Sequence, residues 1–270
     1  MLIAIGLILS ISASLGTYFG LHLNNLSLWF LLLLIPFVIT YFVIYLNIYW
    51  AVVLISILPY RKKEFTGKVN RFCLLNVRLT ASFCLTLRGI FIKRKNFKLI
   101  PKEPCLILFN HISDYDPWVL FKLLKGKNAF VGKIALRNIP MVRALASSIG
   151  TLYVYDNNKE KNYQMIDNAI SYIKEKNTSV VIAPEGTRNK TGQLLPFKHG
   201  GFNIAISSEC PIVLVGFKDM EKAIEKSNLK KTKIHVEVFD VIKPEEYKEM
   251  NASGLAKLTE EKYRRYLGQL

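Results

Sequence analysis

The first sixty residues contain no Asp, Glu, Lys or Arg. A soluble domain keeps charge on its water-facing side chains, so a run of this length points to a lipid environment. Two apolar stretches, residues 1–23 and 27–58, are separated by Asn24-Asn25-Leu26-Ser27. Each exceeds the roughly 20 helical residues that cross a hydrocarbon core of about 30 Å. The second would be roughly 48 Å long as a straight helix, so it is expected to tilt, bend at Pro36 or lie partly in the interface. Trp29, Tyr41, Tyr45, Tyr49 and Trp50 are rings of the kind that settle at headgroup depth. Two crossings and a hairpin embedded in one leaflet both satisfy the pattern. A cleaved secretory signal would open with basic residues, and none follows Met1. The expected organisation is a hydrophobic membrane-anchoring helical hairpin over residues 1–60, then a separate domain over 61–270.

All the formal charge lies in that second part. The chain carries 37 Lys and Arg against 20 Asp and Glu, a net +17. Arg61-Lys62-Lys63 closes the apolar run, and residues 61–100 hold eleven Lys or Arg with only Glu64 opposing them. Basic flanks stay on the cytoplasmic side and attract anionic headgroups. The expected location is therefore the cell membrane, with the body of the protein on its cytoplasmic face. Nucleic acid is the other usual partner of so basic a chain, but no RNP, zinc-finger or helix-turn-helix signature appears, and none is expected. A hydrophobic content of 51% excludes a disordered chain. Cys73, Cys84, Cys105 and Cys210 show no C-x-x-C pair and no His at ligand spacing, so free thiols and no metal site are expected.

From residue 61 onward, short β-rich runs alternate with helical patterns. The runs are 90–93, 105–109, 129–131, 152–155, 180–183, 212–217 and 234–239; the helical patterns are 70–87, 117–125, 141–148, 160–176 and 202–208, with a charged helical tail from Pro244. Residues 70–87 mix Arg71 and Arg78 with Phe72, Leu75, Leu79 and Phe83, as an amphipathic helix does. This alternation predicts an α/β domain, a largely parallel sheet covered by helices. Ligand and catalytic groups in such sheets gather at the carboxyl ends of strands.

Two polar runs begin where a β-run stops. In Asn110-His111-Ile112-Ser113-Asp114-Tyr115-Asp116-Pro117, a His has a carboxylate five positions on. A carboxylate that fixes the tautomer of an imidazole is the minimal general-base device, and a loop allows His111 and Asp116 to fold together. Asp116-Pro117 is also the pattern of a helix N-cap followed by Pro in the first turn. Asp114 is a rival carboxylate that suits a turn. In Val181-Ile182-Ala183-Pro184-Glu185-Gly186-Thr187-Arg188, Gly186 permits a tight backbone, Thr187 offers a hydroxyl and Arg188 a planar fork suited to phosphate. Taken alone, that run is equally a polar turn with a solvated Arg.

Together these residues resemble the PlsC family of glycerolipid acyltransferases, the 1-acylglycerol-3-phosphate acyltransferases. Its His-x4-Asp signature reads His111 to Asp116 here, and its Pro-Glu-Gly-Thr-Arg signature reads Pro184 to Arg188. Phe130-Val131-Gly132-Lys133 with Ile139-Pro140, Cys210-Pro211-Ile212-Val213, and Pro196-Phe197-Lys198-His199-Gly200 are similar to weaker family blocks. The resemblance spans roughly residues 90–239. One position departs: after a strand like 152–155 the family often carries Arg, and this chain has Asp156.

The resemblance implies the glycerol-3-phosphate/1-acylglycerol-3-phosphate acyltransferase fold with an N-terminal two-helix membrane anchor. It implies transfer of an acyl chain from an acyl-carrier-protein or coenzyme A thioester to the sn-2 hydroxyl of lysophosphatidate, giving phosphatidate. His111 and Asp116 would be catalytic, and Glu185, Gly186, Thr187, Arg188 and Lys133 would bind substrate. Arg137, Arg143 and Lys198 would assist, and backbone N–H groups near Gly186 would serve the oxyanion. No cofactor beyond the thioester co-substrate and no metal is expected. No Ser or Cys sits in a nucleophile setting, so direct transfer is expected. The alternatives are an acyltransferase of the same fold with another acceptor (glycerol 3-phosphate, another lysophospholipid or a lyso-amino-lipid) and a non-catalytic lipid-binding membrane protein.

Overall fold

The structure, a computed structural model, describes residues 26–62, 67–189, 193–221 and 231–269. The first apolar stretch and His22 lie outside the described residues, as does the first helix of the expected hairpin. The chain divides into two compact units, Met1–Pro59 and Tyr60–Leu270. In the first unit, α1 (Leu26–Ile57) runs through Pro36 without a break. Among the described residues, Val38–Tyr60 is long and apolar enough to cross a membrane, with a mean hydropathy of 2.1. Ile39, Tyr41, Phe42 and Ile55 on it are exposed.

The second unit is a seven-stranded sheet with helices on both faces. Its strands are β1 (Ile90–Lys95), β2 (Leu106–Phe109), β3 (Asn128–Lys133), β4 (Leu152–Val154), β5 (Ser179–Ile182), β6 (Ile212–Lys218) and β7 (Thr232–Ile242). They lie in the order β1-β7-β6-β2-β5-β3-β4, and only the β6–β7 pairing is antiparallel. All seven β-runs expected from the sequence are strands. β2 is buried along its whole length and β6 up to Lys218, as strands covered on both faces must be.

The helices are α2 (Arg71–Leu87), α3 (Asp116–Leu123), α4 (Pro140–Ser148), α5 (Lys159–Lys174), α6 (Asn203–Ser208), α7 (Pro244–Tyr247) and α8 (Ala252–Leu267). On one face, Leu85 of α2 and Val119 and Leu120 of α3 share a core with Ile107, Phe109, Val181, Val213 and Val215. α5, α6 and α8 pack elsewhere on the sheet, against β4, β5 and β6 or one another. The tail helix α8 is fastened by Tyr263, whose buried hydroxyl donates to the Val215 carbonyl at 3.0 Å.

α2 shows which stripe of the expected helix meets the sheet. An amphipathic helix does form there, capped by Asn70, whose side chain accepts from the Phe72 and Cys73 amides. Yet Phe72, Leu75, Leu79 and Phe83 are not its core face; they are exposed, while Cys73, Leu74, Val77, Ala81 and Leu85 are buried. The sheet takes the stripe containing Cys and Ala, which permits close approach, and the bulkier stripe points outward.

Topology positions the site. From β2 the chain crosses through α3 to β3, leaving a gap that β5 later fills, and from β5 it crosses through α6 to β6 on the opposite side of β2. The direction of winding therefore reverses at the β2/β5 pair, where open α/β sheets form a crevice at the strand ends.

Candidate active site

β2 and β5 pair in parallel with Leu106 opposite Val180 and Leu108 opposite Ile182. The same offset of 74 residues persists beyond the strand ends. It sets Glu185 against the His111 amide and Arg188 against Asp114. The spacing of the two sequence runs is thus the register of two neighbouring strands, continued into their loops.

Asn110 makes the exit from β2. Its buried side-chain amide donates to the Phe217 carbonyl at 3.1 Å and accepts from the Phe217 amide at 2.8 Å. The side chain replaces one rung of backbone pairing to β6, which releases the main chain to turn. His111 follows, pinned at both ends of its peptide: its N–H donates to Glu185 Oε1 at 2.8 Å, and its carbonyl accepts from the Asn189 amide at 2.6 Å. The ring lies edge-on to Phe109 with centroids 5.6 Å apart.

His111 Nδ1 lies 2.9 Å from Asp116 Oδ2, and the same oxygen accepts the Ile112 and Ser113 amides at 2.7 and 2.8 Å. The alternative in which Asp116 caps a helix is not realised: α3 begins at this residue, and its carboxylate turns back into the loop rather than onto α3 amides. The Asp116 side chain is wholly buried, whereas that of His111 is 21% exposed. Burial pushes the Asp116 carboxyl above its ordinary value, opposed by its three donors. An acceptor bonded to Nδ1 places the proton there and leaves Nε2 as the basic nitrogen.

Glu185 is buried, and its second oxygen accepts the Leu195 amide at 3.0 Å. Burial raises its pKa as well. It is a latch between loops, with both oxygens spent on backbone amides. Gly186 sits at a φ of +69°, and a Cβ there would meet the Lys198 side chain at 2.9 Å. Its N–H donates to the Ala183 carbonyl at 3.1 Å, which removes that group as an oxyanion donor. Thr187 and Arg188 are exposed. Arg188 forms an ion pair with Asp114, the rival carboxylate, which therefore faces the guanidinium while Asp116 holds the imidazole. Imidazole and guanidinium therefore share one loop cluster.

Lys133 ends β3 at the same edge of the sheet; the pairing of Phe130 with Val181, continued three residues, brings it level with Pro184. Its ammonium lies 3.7 Å from Asp156, the position that departs from the resemblance. Arg137 stacks on the Tyr153 ring with its guanidinium 5.5 Å from the centroid. Ser113 accepts the Tyr115 amide, and burial pushes the Cys105 thiol up to about 12. His199 lies in a short helical turn, and His235 pairs with Asp219 at 2.8 Å. Sequence reading missed Asn110 and Asn189. Asn110 had a signal, an amide directly between an apolar strand and the candidate base; Asn189 acts through its backbone and had none.

The family profile described as Acyltransferase matches residues 91–218. A 1-acyl-sn-glycerol-3-phosphate acyltransferase of Haemophilus influenzae is 31% identical over 147 residues, which are 54% of this chain and 61% of that protein. The Escherichia coli enzyme of the same name is 30% identical over 142 residues, covering 53% and 58%. Over residues 91–218 the chain is similar to this acyltransferase family. It spans about three-fifths of the length of these two curated relatives. The crystal structure of the 1-acyl-sn-glycerophosphate (LPA) acyltransferase PlsC from Thermotoga maritima shares the fold, with a TM-score of 0.65 at 21% identity over 85% of this chain and 92% of that one.

Proposed function

We propose that this protein transfers an acyl chain from a thioester donor, acyl-acyl-carrier-protein or acyl-coenzyme A, to the sn-2 hydroxyl of 1-acylglycerol-3-phosphate. The observation that carries the reading is the imidazole of His111 on the fully buried carboxylate of Asp116 at 2.9 Å, in one loop cluster with Arg188. His111 Nε2 takes the proton of the acceptor hydroxyl as that oxygen attacks the thioester carbonyl. The tetrahedral intermediate expels the thiolate, which recovers the proton from the imidazolium. A base so placed is worth about 10²–10⁴-fold. Holding acceptor and donor in register supplies the larger share.

Arg188 and Lys133 take the acceptor phosphate, displacing Asp114 and Asp156 from exposed pairs that hold them weakly. Glu185 and Gly186 shape the loop that presents Arg188, and Thr187 adds a hydroxyl at its rim. Transfer is direct: Ser113 is buried, and the Cys105 thiol stays protonated near neutral pH. No cofactor or metal takes part in this scheme. The names and family of the relatives support the lipid acceptor and thioester donor. The apolar stretch Val38–Tyr60 and the basic residues after it support attachment at the cytoplasmic face of the cell membrane, in one or two passes.

The test is an acyl-transfer assay on detergent-purified protein with lysophosphatidate, offering acyl-carrier-protein and coenzyme A thioesters in parallel. His111→Ala should abolish transfer in protein that still binds lipid. Transfer by neither donor would favour a non-catalytic lipid-binding role. The Lys133–Asp156 pair favours one second reading, an acceptor other than lysophosphatidate. Glycerol 3-phosphate, other lysophospholipids and lyso-amino-lipids in the same assay separate the two.

A further inference from the structure

The outward face of α2 is apolar. Phe72, Leu75, Leu79, Phe83 and Leu87 follow one another at helical spacing and are each 47–63% exposed. At about 100° per residue this stripe lies nearly opposite the buried one of Cys73, Leu74, Val77, Ala81 and Leu85. A helix bordering water presents polar residues there, and a continuous apolar ridge marks an interaction surface.

Its surroundings are basic. Arg71 and Arg78 of α2 line a cavity of about 1080 Å³ with Lys98, Lys102, Lys125 and Lys127, and Glu103 is the one acidic residue in its wall. Among the possible occupants, a second copy would set cations against cations. An acidic protein would match the charge, but its carboxylates would find no polar partner on five exposed apolar side chains. An anionic bilayer meets both features, because acyl chains close around a ridge while headgroups meet the cations. Along the chain, α2 begins eleven positions after Tyr60, the end of the membrane-length apolar stretch.

We propose that the acyltransferase unit makes its own membrane contact through α2, with the ridge from Phe72 to Leu87 in the interfacial layer of an anionic bilayer and the cations of the neighbouring cavity on lipid phosphates. This contact is additional to the N-terminal apolar segment, and it does not depend on the acceptor proposed above.

The full chain, in a Cys84→Ser background, is labelled with an environment-sensitive fluorophore at Leu79→Cys or Phe83→Cys. A label at Lys257→Cys on α8 is the control. Each is reconstituted into vesicles of phosphatidylcholine with or without phosphatidylglycerol. The labels at 79 and 83 should be quenched by doxyl-labelled lipid and shielded from aqueous iodide, more strongly with phosphatidylglycerol, and the control should behave the opposite way. Iodide quenching at 79 and 83 overturns the proposal. Shielding from both quenchers means that protein covers the ridge, and overturns it too. As a second measurement, the triple variant Phe72→Ser, Leu79→Ser, Phe83→Ser should lose transfer severalfold on vesicle-borne lysophosphatidate while keeping it in detergent micelles. Equal loss in both, or none in either, contradicts the contact. The quenching readout requires no activity, so it fails or succeeds apart from the acyltransferase reading.

Discussion

Asp116 holds an imidazole and two backbone amides with a single oxygen, so the ring of His111 and the turn that carries it depend on the same carboxylate. His111→Ala should lower kcat by at least about 10²-fold, with the thermal midpoint in detergent unchanged. Asp116→Asn should lower kcat and also the midpoint, since a neutral amide oxygen accepts the three donors less strongly than a carboxylate does. Arg188→Ala should mainly raise the acceptor KM. Asp156→Asn releases Lys133 from an exposed pair worth about 0.2–1 kcal/mol, so the KM of a phosphate-bearing acceptor should fall by up to about fivefold, less at high salt. An unchanged KM would remove Lys133 from the phosphate subsite. The thiols offer an independent check. Cys73, Cys105 and Cys210 are buried and Cys84 is partly exposed. Iodoacetamide at mild pH should therefore label Cys84 first and leave Cys105, held up to about 12, untouched.

The elements bring the site together through strand register. Asn110 completes the β2–β6 edge by bonding both backbone groups of Phe217. Asn110→Ala strands those groups in the interior and should lower stability by about 1–3 kcal/mol, with kcat falling as the His111 loop loosens. Glu185 ties that loop to the β5 turn and carries a pKa raised by burial. The folded state then holds the Glu185 proton more tightly than the unfolded chain does. Stability from this group is greatest below the ordinary carboxylate range and declines as pH rises through the raised folded value. Glu185→Gln should lose that slope in a series of melts on the detergent-solubilised protein. An identical slope in the variant would assign it elsewhere, Asp116 being the other buried carboxyl shifted the same way.

At the scale of the molecule, an uncharged first part is joined to a body bearing the whole +17. A protein held by charge alone leaves the membrane when salt collapses the Debye length to about 3 Å at 1 M. This chain should stay in the membrane fraction through such a wash, because Val38–Tyr60 is long and apolar enough to span. Release by salt would show that the basic residues are the sole attachment.

The order of strands and helices was legible in the sequence because alternating apolar runs and polar turns are local properties, and all seven strands lie where the runs predicted. The polar runs that carry His111 with Asp116 and Glu185 with Arg188 were legible because each begins where such a run stops. Which face of α2 meets the sheet was not: both of its stripes are apolar, and only close packing chooses between them. Nor were the Asn110–Phe217 bridge, the two-ended pinning of His111 or the Arg188–Asp114 and Lys133–Asp156 pairs. Each joins residues from separate strands or their loops, and such contacts exist only once the sheet has set its register.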